Sequence, residues 1–209
     1  MNESNQKYEI TDIAHKEYPF LHRIRALRTI GTTVKAGDLG GFVEGEWNLS
    51  YEDADSWIFQ DAIAANAAFV EGGSILRDQA VACGEARIQG GSVLSGYARA
   101  EDHACVVGAQ VEGFARVSGH GMAFAYSPAK APLLTSSCVV HGNVAGNVCI
   151  TGKAVVLGDE KIANESIDRL IVDEKGRRIN RSPERDRLLP SAQYFGKKKS
   201  AQKRKEAER

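Results

Sequence analysis

The chain contains no apolar run approaching the ~18–20 residues that span a bilayer, and its opening stretch, MNESNQKYEITD, lacks the basic-then-apolar order of a secretory signal. Both absences point to a soluble, cytoplasmic protein with no membrane partner. Its four cysteines, Cys83, Cys105, Cys138 and Cys149, form no C-x-x-C pair. They therefore read as small buried apolar residues rather than zinc ligands or staples. Aromatics amount to 7% against 21 glycines, which argues against an aromatic-rich sandwich. Neither a G-x-x-x-x-G-K-[ST] phosphate loop nor a G-x-S-x-G nucleophile elbow is present, so nucleotide hydrolysis and serine-esterase chemistry lack support.

What is present is a repeat. Every sixth residue from Ser56 onward is small: Ser56, Ala62, Ala68, Ser74, Ala80, Ala86, Ser92, Ala98 and Ala104. Two residues later the same walk meets only aliphatics, namely Ile58, Ala64, Val70, Leu76, Ala82, Ile88, Leu94, Ala100 and Val106. Two further on come Gln60, Asn66, Gly72, Asp78, Gly84, Gly90, Gly96, Asp102 and Gly108, almost all tolerant of left-handed backbone. Residues two apart on a strand share a face, so the small and aliphatic positions point inward. The residue between them, such as Trp57, Arg87 or Arg99, points out. A strand this short with a corner every six residues suits one side of a prism whose coils stack through parallel hydrogen bonds. Ala64, Ala82 and Ala100 recur 18 residues apart, so three sides make one coil, and one side is narrow. The expected fold is all-β: a single-stranded triangular parallel β-helix.

The register slips by one residue at Ala109, Val111 and Gly113, followed by Ala115, Val117 and Gly119. Gly121–Thr135 carries two of the five prolines and breaks the pattern. The repeat then resumes with Cys138, Val144, Ile150 and Val156 at aliphatic positions and Gly146, Gly152 and Gly158 at turns. The expected layout is a small N-terminal β cap at 1–53, about five 18-residue coils at 54–159 with a loop at 121–135, a hairpin cap at 160–182 and a basic tail at 183–209. In the N-terminal cap, Lys7–Thr11 and His22–Leu27 read as strands and 37–41 as a turn. Trp47, Tyr51, Trp57 and Phe59 read as packing between cap and first coil rather than a ligand-binding cage. Arg169–Asp173 and Arg177–Ile179 read as the closing hairpin.

The net charge of zero hides an asymmetry. Lys175–Arg209 holds 13 basic and 4 acidic residues, leaving 14 basic and 23 acidic in Met1–Glu174, so a −9 body carries a +9 tail. Lys197, Lys198, Lys199, Lys203, Arg204 and Lys205 are the candidate contacts for nucleic acid or another anionic partner.

Leu21–Arg28, Val34–Glu44 and Asn48–Ser50, followed by the strand Asp55–Phe59, resemble the N-terminal signature of phage- and prophage-associated β-helix proteins similar to the YdcK-like group. The resemblance covers about residues 7–120 and implies a left-handed helix related to the trimeric LpxA-like hexapeptide-repeat superfamily. It also implies a homo-oligomer, a trimer by analogy. True hexapeptide transferases place glycine directly after the aliphatic, whereas here it falls two residues later. The acyltransferases of that superfamily use a histidine as general base between subunits. By that analogy His120 and His141, flanking the expected loop, are the candidate catalytic residues, with acetyl-CoA or another acyl-CoA as cosubstrate; His103 should lie exposed at a corner. The His-x4-His pair of the superfamily's zinc-binding members is missing, so no metal is expected. Without a convergent polar cluster in the repeat, the leading expectation is a non-catalytic scaffold or interaction module with no cofactor and a possible protein partner. The alternatives are a CoA-dependent acyltransferase and nucleic-acid association through the tail.

Overall fold

A computed structural model describes residues 5–53 and 55–183. The chain winds into a three-walled parallel β-solenoid, and no helix among these residues is long and apolar enough to cross a membrane. The first wall stacks Leu39–Val43, Ile63–Ala64, Val81–Ala82, Arg99–Ala100, Arg116–Val117, Val139–Val140 and Val155–Val156. The second stacks Phe69–Val70, Arg87–Gln89, Cys105–Val107, Met122–Phe124, Asn143–Gly146 and Lys161–Asn164, begun by a parallel bridge from Leu49 to Val70. The third stacks Trp57–Ile58, Ile75–Leu76, Val93–Leu94, Gln110–Val111, Leu133–Leu134, Val148–Ile150 and Arg169–Asp173. Each wall thus has seven rungs, and at ~4.8 Å per rung the column is about 30 Å long.

The six-residue rhythm accounts for this closely. Every small and aliphatic position of the series from Ser56 to Val106 is buried. All nine turn positions from Gln60 to Gly108 have positive φ, including the non-glycines Gln60, Asn66, Asp78 and Asp102. Those polar residues earn their place at the corner by bonding to the next coil. Gln60 Oε1 accepts the Asp78 N–H at 2.9 Å, Asp78 Oδ2 the Gly96 N–H at 2.8 Å and Asp102 Oδ2 the Gly119 N–H at 2.9 Å. Glycine is required at Gly84, where φ is +71° and a Cβ would lie 2.8 Å from the Asp102 backbone. The slip appears as a 17-residue step, with Leu94 over Val111 and Ala100 over Val117.

Core volume is balanced coil by coil. Ala64, Ala82 and Ala100 lie in register on the first wall, opposite larger residues such as Ile88 and Leu94. At the next coil the first wall widens to Val117, and the small residue moves to Ala123 on the second wall. Ala82→Leu should overfill this section and cost about 1–3 kcal/mol in urea unfolding. Arg87→Ala, on the exposed outer face, should stay within about 0.5 kcal/mol.

Several boundaries differ from the sequence reading. Stacking begins at Leu39 and continues to Asp173, giving seven coils instead of about five. Leu39–Val43, part of which reads as a turn, is the first rung, and Gly41 is essential to it. A Cβ there would lie 2.4 Å from both the Ala62 carbonyl and Ile58. Met122–Phe124 and Leu133–Leu134 stay in their walls, so the excursion expected at 121–135 spans only 125–132. Cys138 occupies the small position before Val140 rather than an aliphatic one: its carbonyl accepts from Arg116 as that of Ala115 accepts from Arg99. It is the one fully buried cysteine; Cys83, Cys105 and Cys149 are half-buried.

The ends are built as antiparallel additions. Tyr8–Ala14 pairs with His22–Ala26, which pairs with Leu39–Val43. At the far end Arg169–Asp173 turns back into Gly176–Asn180. Lys7 is wholly buried at the N-terminal end. Its ammonium donates to the Ser50 carbonyl and to Asp53 Oδ1, each at 2.8 Å. Asp53 also accepts from the Ser56 N–H and hydroxyl and from the Gly72 N–H.

Candidate functional site

The corner after the first wall gathers the histidine candidates. On successive coils it reads Cys83-Gly84-Glu85, Glu101-Asp102-His103 and Ser118-Gly119-His120, and then a shorter corner, His141-Gly142. Equivalent positions lie over one another. His120 stacks on His103 with ring centroids 4.8 Å apart and planes 4° from parallel, and His103 Nδ1 lies 3.2 Å from Glu85 Oε2. Beside this column, Glu101 bridges Arg99 at 3.1 Å and Arg116 at 3.3 Å. Ser118 Oγ and His141 Nδ1 are 3.2 Å apart.

The structure therefore brings His103, His120 and His141 to one edge of the prism but pairs His103 with His120 and Glu85 and sets His141 against Ser118. His120 does not lie at the foot of the excursion. The strand Met122–Phe124 separates it from 125–132, which departs at the next corner. The spacing of His103 and His120 is a legible signal: 17 residues is the step of the slipped coil, which puts one ring over the other. The hydroxyl beside His141 belongs to a buried serine, poorly placed to reach a substrate. Thiolate chemistry at Cys83, Cys138 and Cys149 is also disfavoured. Burial pushes the Cys138 thiol up to about 12 and raises those of Cys83 and Cys149.

Two concave surfaces lie at the N-terminal end, away from these histidines. One, of about 520 Å³, opens where the 13–18 loop crosses the first wall. His15 meets Phe42 edge-on at 4.7 Å, and its Nδ1 accepts the N–H groups of Glu17 and Tyr18, each at 3.2 Å. The neutral ring thus carries its proton on Nε2. Arg23 lies 4.2 Å over Phe42 and pairs with Asp61 at 2.7 Å, so this cleft mixes both signs of charge.

The second, of about 460 Å³, lies along the start of the second wall and is lined by Trp47, Tyr51 and Phe69 with Glu46, Glu52 and Glu71. Buried Asn48 builds it. Its Oδ1 accepts the Glu44 and Gly45 N–H groups, each at 3.0 Å, and its amide donates to the Asn66 and Ala68 carbonyls, each at 2.9 Å. This locks the turn that turns Trp47 outward. The expected junction packing holds for Trp57, which is 1% exposed and meets Tyr8 edge-on at 6.4 Å. Trp47 instead is 59% exposed.

No family model matches the chain, and no curated protein matches it. Among the described residues, no group of three or more His, Cys, Asp or Glu side chains is placed to hold a metal ion. Lys197, Lys198, Lys199, Lys203, Arg204 and Lys205 lie outside the described residues.

Proposed function

We propose that this chain is a non-catalytic interaction module, a rigid column that recognises partners at its N-terminal end. The observation that carries the reading is the separation of the candidate bases from the two clefts described above. His120 lies on an exposed corner midway along the column, against His103, whereas the two clefts are built by 13–18 and 46–52 at its N-terminal end. General-base catalysis needs the imidazole within hydrogen-bond reach of a bound acceptor, and none of His103, His120 and His141 lines either cleft. A left-handed, homotrimeric, cytoplasmic protein of phage or prophage association belongs to the same reading, supported by the N-terminal signature residues 21–28 and 34–44.

The test is calorimetric titration of the full chain with acetyl-CoA up to ~1 mM, an affinity worth only about 4 kcal/mol. No binding heat is expected. Saturable binding, together with acyl transfer that disappears in His120→Ala or His141→Ala, would replace this reading with a CoA-dependent acyltransferase.

A further inference from the structure

We propose that the groove formed by Trp47, Tyr51 and Phe69 is a docking site for the chain's own basic segment, Lys197–Lys205. This rests on reading the solenoid as an interaction module and names what the module holds. Three carboxylates, from Glu46, Glu52 and Glu71, border the aromatic surface, and among the described residues no Lys or Arg lines it. An indole left 59% exposed is ordinarily a mobile side chain, but Trp47 is fixed twice. Its Nε1 donates to the Asn66 carbonyl at 2.8 Å, and its ring lies so close over Gly45 that a Cβ there would fall 2.2 Å from it. A pre-ordered aromatic face beside carboxylates is suited to alkylammonium and guanidinium groups, through cation–π attraction and direct pairing.

Charge complementarity identifies the occupant. Residues 197–205 carry six basic side chains and no acidic one, while residues 1–174 carry a net −9. The other cleft selects neither sign, because Lys16 and Arg23 offset Glu17 and Asp61 along its lining. Length is no obstacle. The 14 residue steps from Pro183 to Lys197 span at most ~45–50 Å, more than the ~30 Å column. The seat is therefore within reach on the same chain as well as on a second copy.

The experiment uses the full chain with its six basic residues from Lys197 to Lys205 changed to Gln, to which a labelled peptide of residues 196–209 is added. Saturable binding is expected, with quenching of Trp47 emission and progressive loss as salt rises toward ~0.5 M. Glu46→Gln, Glu52→Gln and Glu71→Gln together should weaken it about tenfold. Trp47→Ala should do likewise, with the thermal midpoint of either variant unchanged. Affinity unaltered in both groove variants would overturn the proposal, as would no saturable binding. Retention of a DNA oligonucleotide by the unmodified chain, with no peptide bound at the groove, would assign the segment to phosphate instead. Failure of this titration removes the occupant alone, since the module reading stands or falls on acetyl-CoA binding.

Discussion

Asp53→Ala is expected to lower folding stability by about 3 kcal/mol, because it strands the wholly buried Lys7 ammonium without its counter-charge. The same change removes the acceptor for the Ser56 hydroxyl and the Gly72 N–H, loosening the link between the cap and the first two coils. Burial alone would raise the Asp53 pKa. Hydrogen bonds from Lys7 and Ser56 outweigh it and hold the carboxyl below its ordinary 3.8. A depressed folded-state pKa contributes stability that is complete above the ordinary value and is lost as pH falls through the lowered one. Lys7 behaves differently: burial lowers its pKa from 10.5 despite Asp53. Between that lowered value and 10.5 the unfolded chain binds more protons, so the Lys7 contribution rises with pH there. Urea titrations from neutrality down through about pH 4 to 2 should show the wild-type advantage over Asp53→Ala shrinking as Asp53 protonates. A constant difference across that range would mean the pair does not hold the cap.

Leu94→Ala is expected to cost about 2–5 kcal/mol, the range for deleting a buried leucine where the surroundings close only partly. Leu94 is wholly buried, with Leu76 below it and Val111 above. Its coil already devotes one corner of the core triangle to Ala82. A second alanine would leave Ile88 as the only large aliphatic of that section, and each short strand is held by hydrogen bonds to its neighbours. The loss would appear as a lower urea midpoint. Unfolding that stays a single transition would show the coils acting as one cooperative body; two transitions would show the column dividing at the third coil.

The middle of the column was legible because each of its residues answers a strict local demand. An inward position admits only a small residue or an aliphatic, and a corner at positive φ takes Gly, Asn, Asp, once Ser at Ser136, or, at Gln60, a longer amide that bonds to the next coil. The ends relax those demands. Gly40 and Gly41 replace small-residue signals with close backbone approach, and the step from Cys149 to Ile171 is 22 residues, so the first and last coils show no clean hexad. Periodicity also says nothing of what a cap covers. Trp57 shares a register position with half-buried Ile75 yet is hidden, while Trp47, ten residues earlier, is exposed. The serines at 56, 74 and 92 register in the pattern simply as small. Their hydroxyls form a ladder in which Ser56 Oγ accepts from Ser74 N–H at 3.2 Å, Ser74 Oγ from Ser92 N–H at 3.2 Å and Ser92 Oγ from Ala109 N–H at 3.3 Å. The recurrence at 18 residues was the available clue. The spacing suggests that His120 and His141 flank the base of the excursion, but it leaves from a different corner, after the strand Met122–Phe124.

The orientation of the backbone hydrogen bonds has a mechanical consequence. They run from coil to coil, along the length of the column, and its first and last rungs lie at opposite ends. A force drawing those ends apart would load one coil boundary after another instead of all together. Under tension the molecule should therefore lengthen in a staircase, each tread releasing one turn of chain. Force applied across the walls would meet the resistance of several rungs at once.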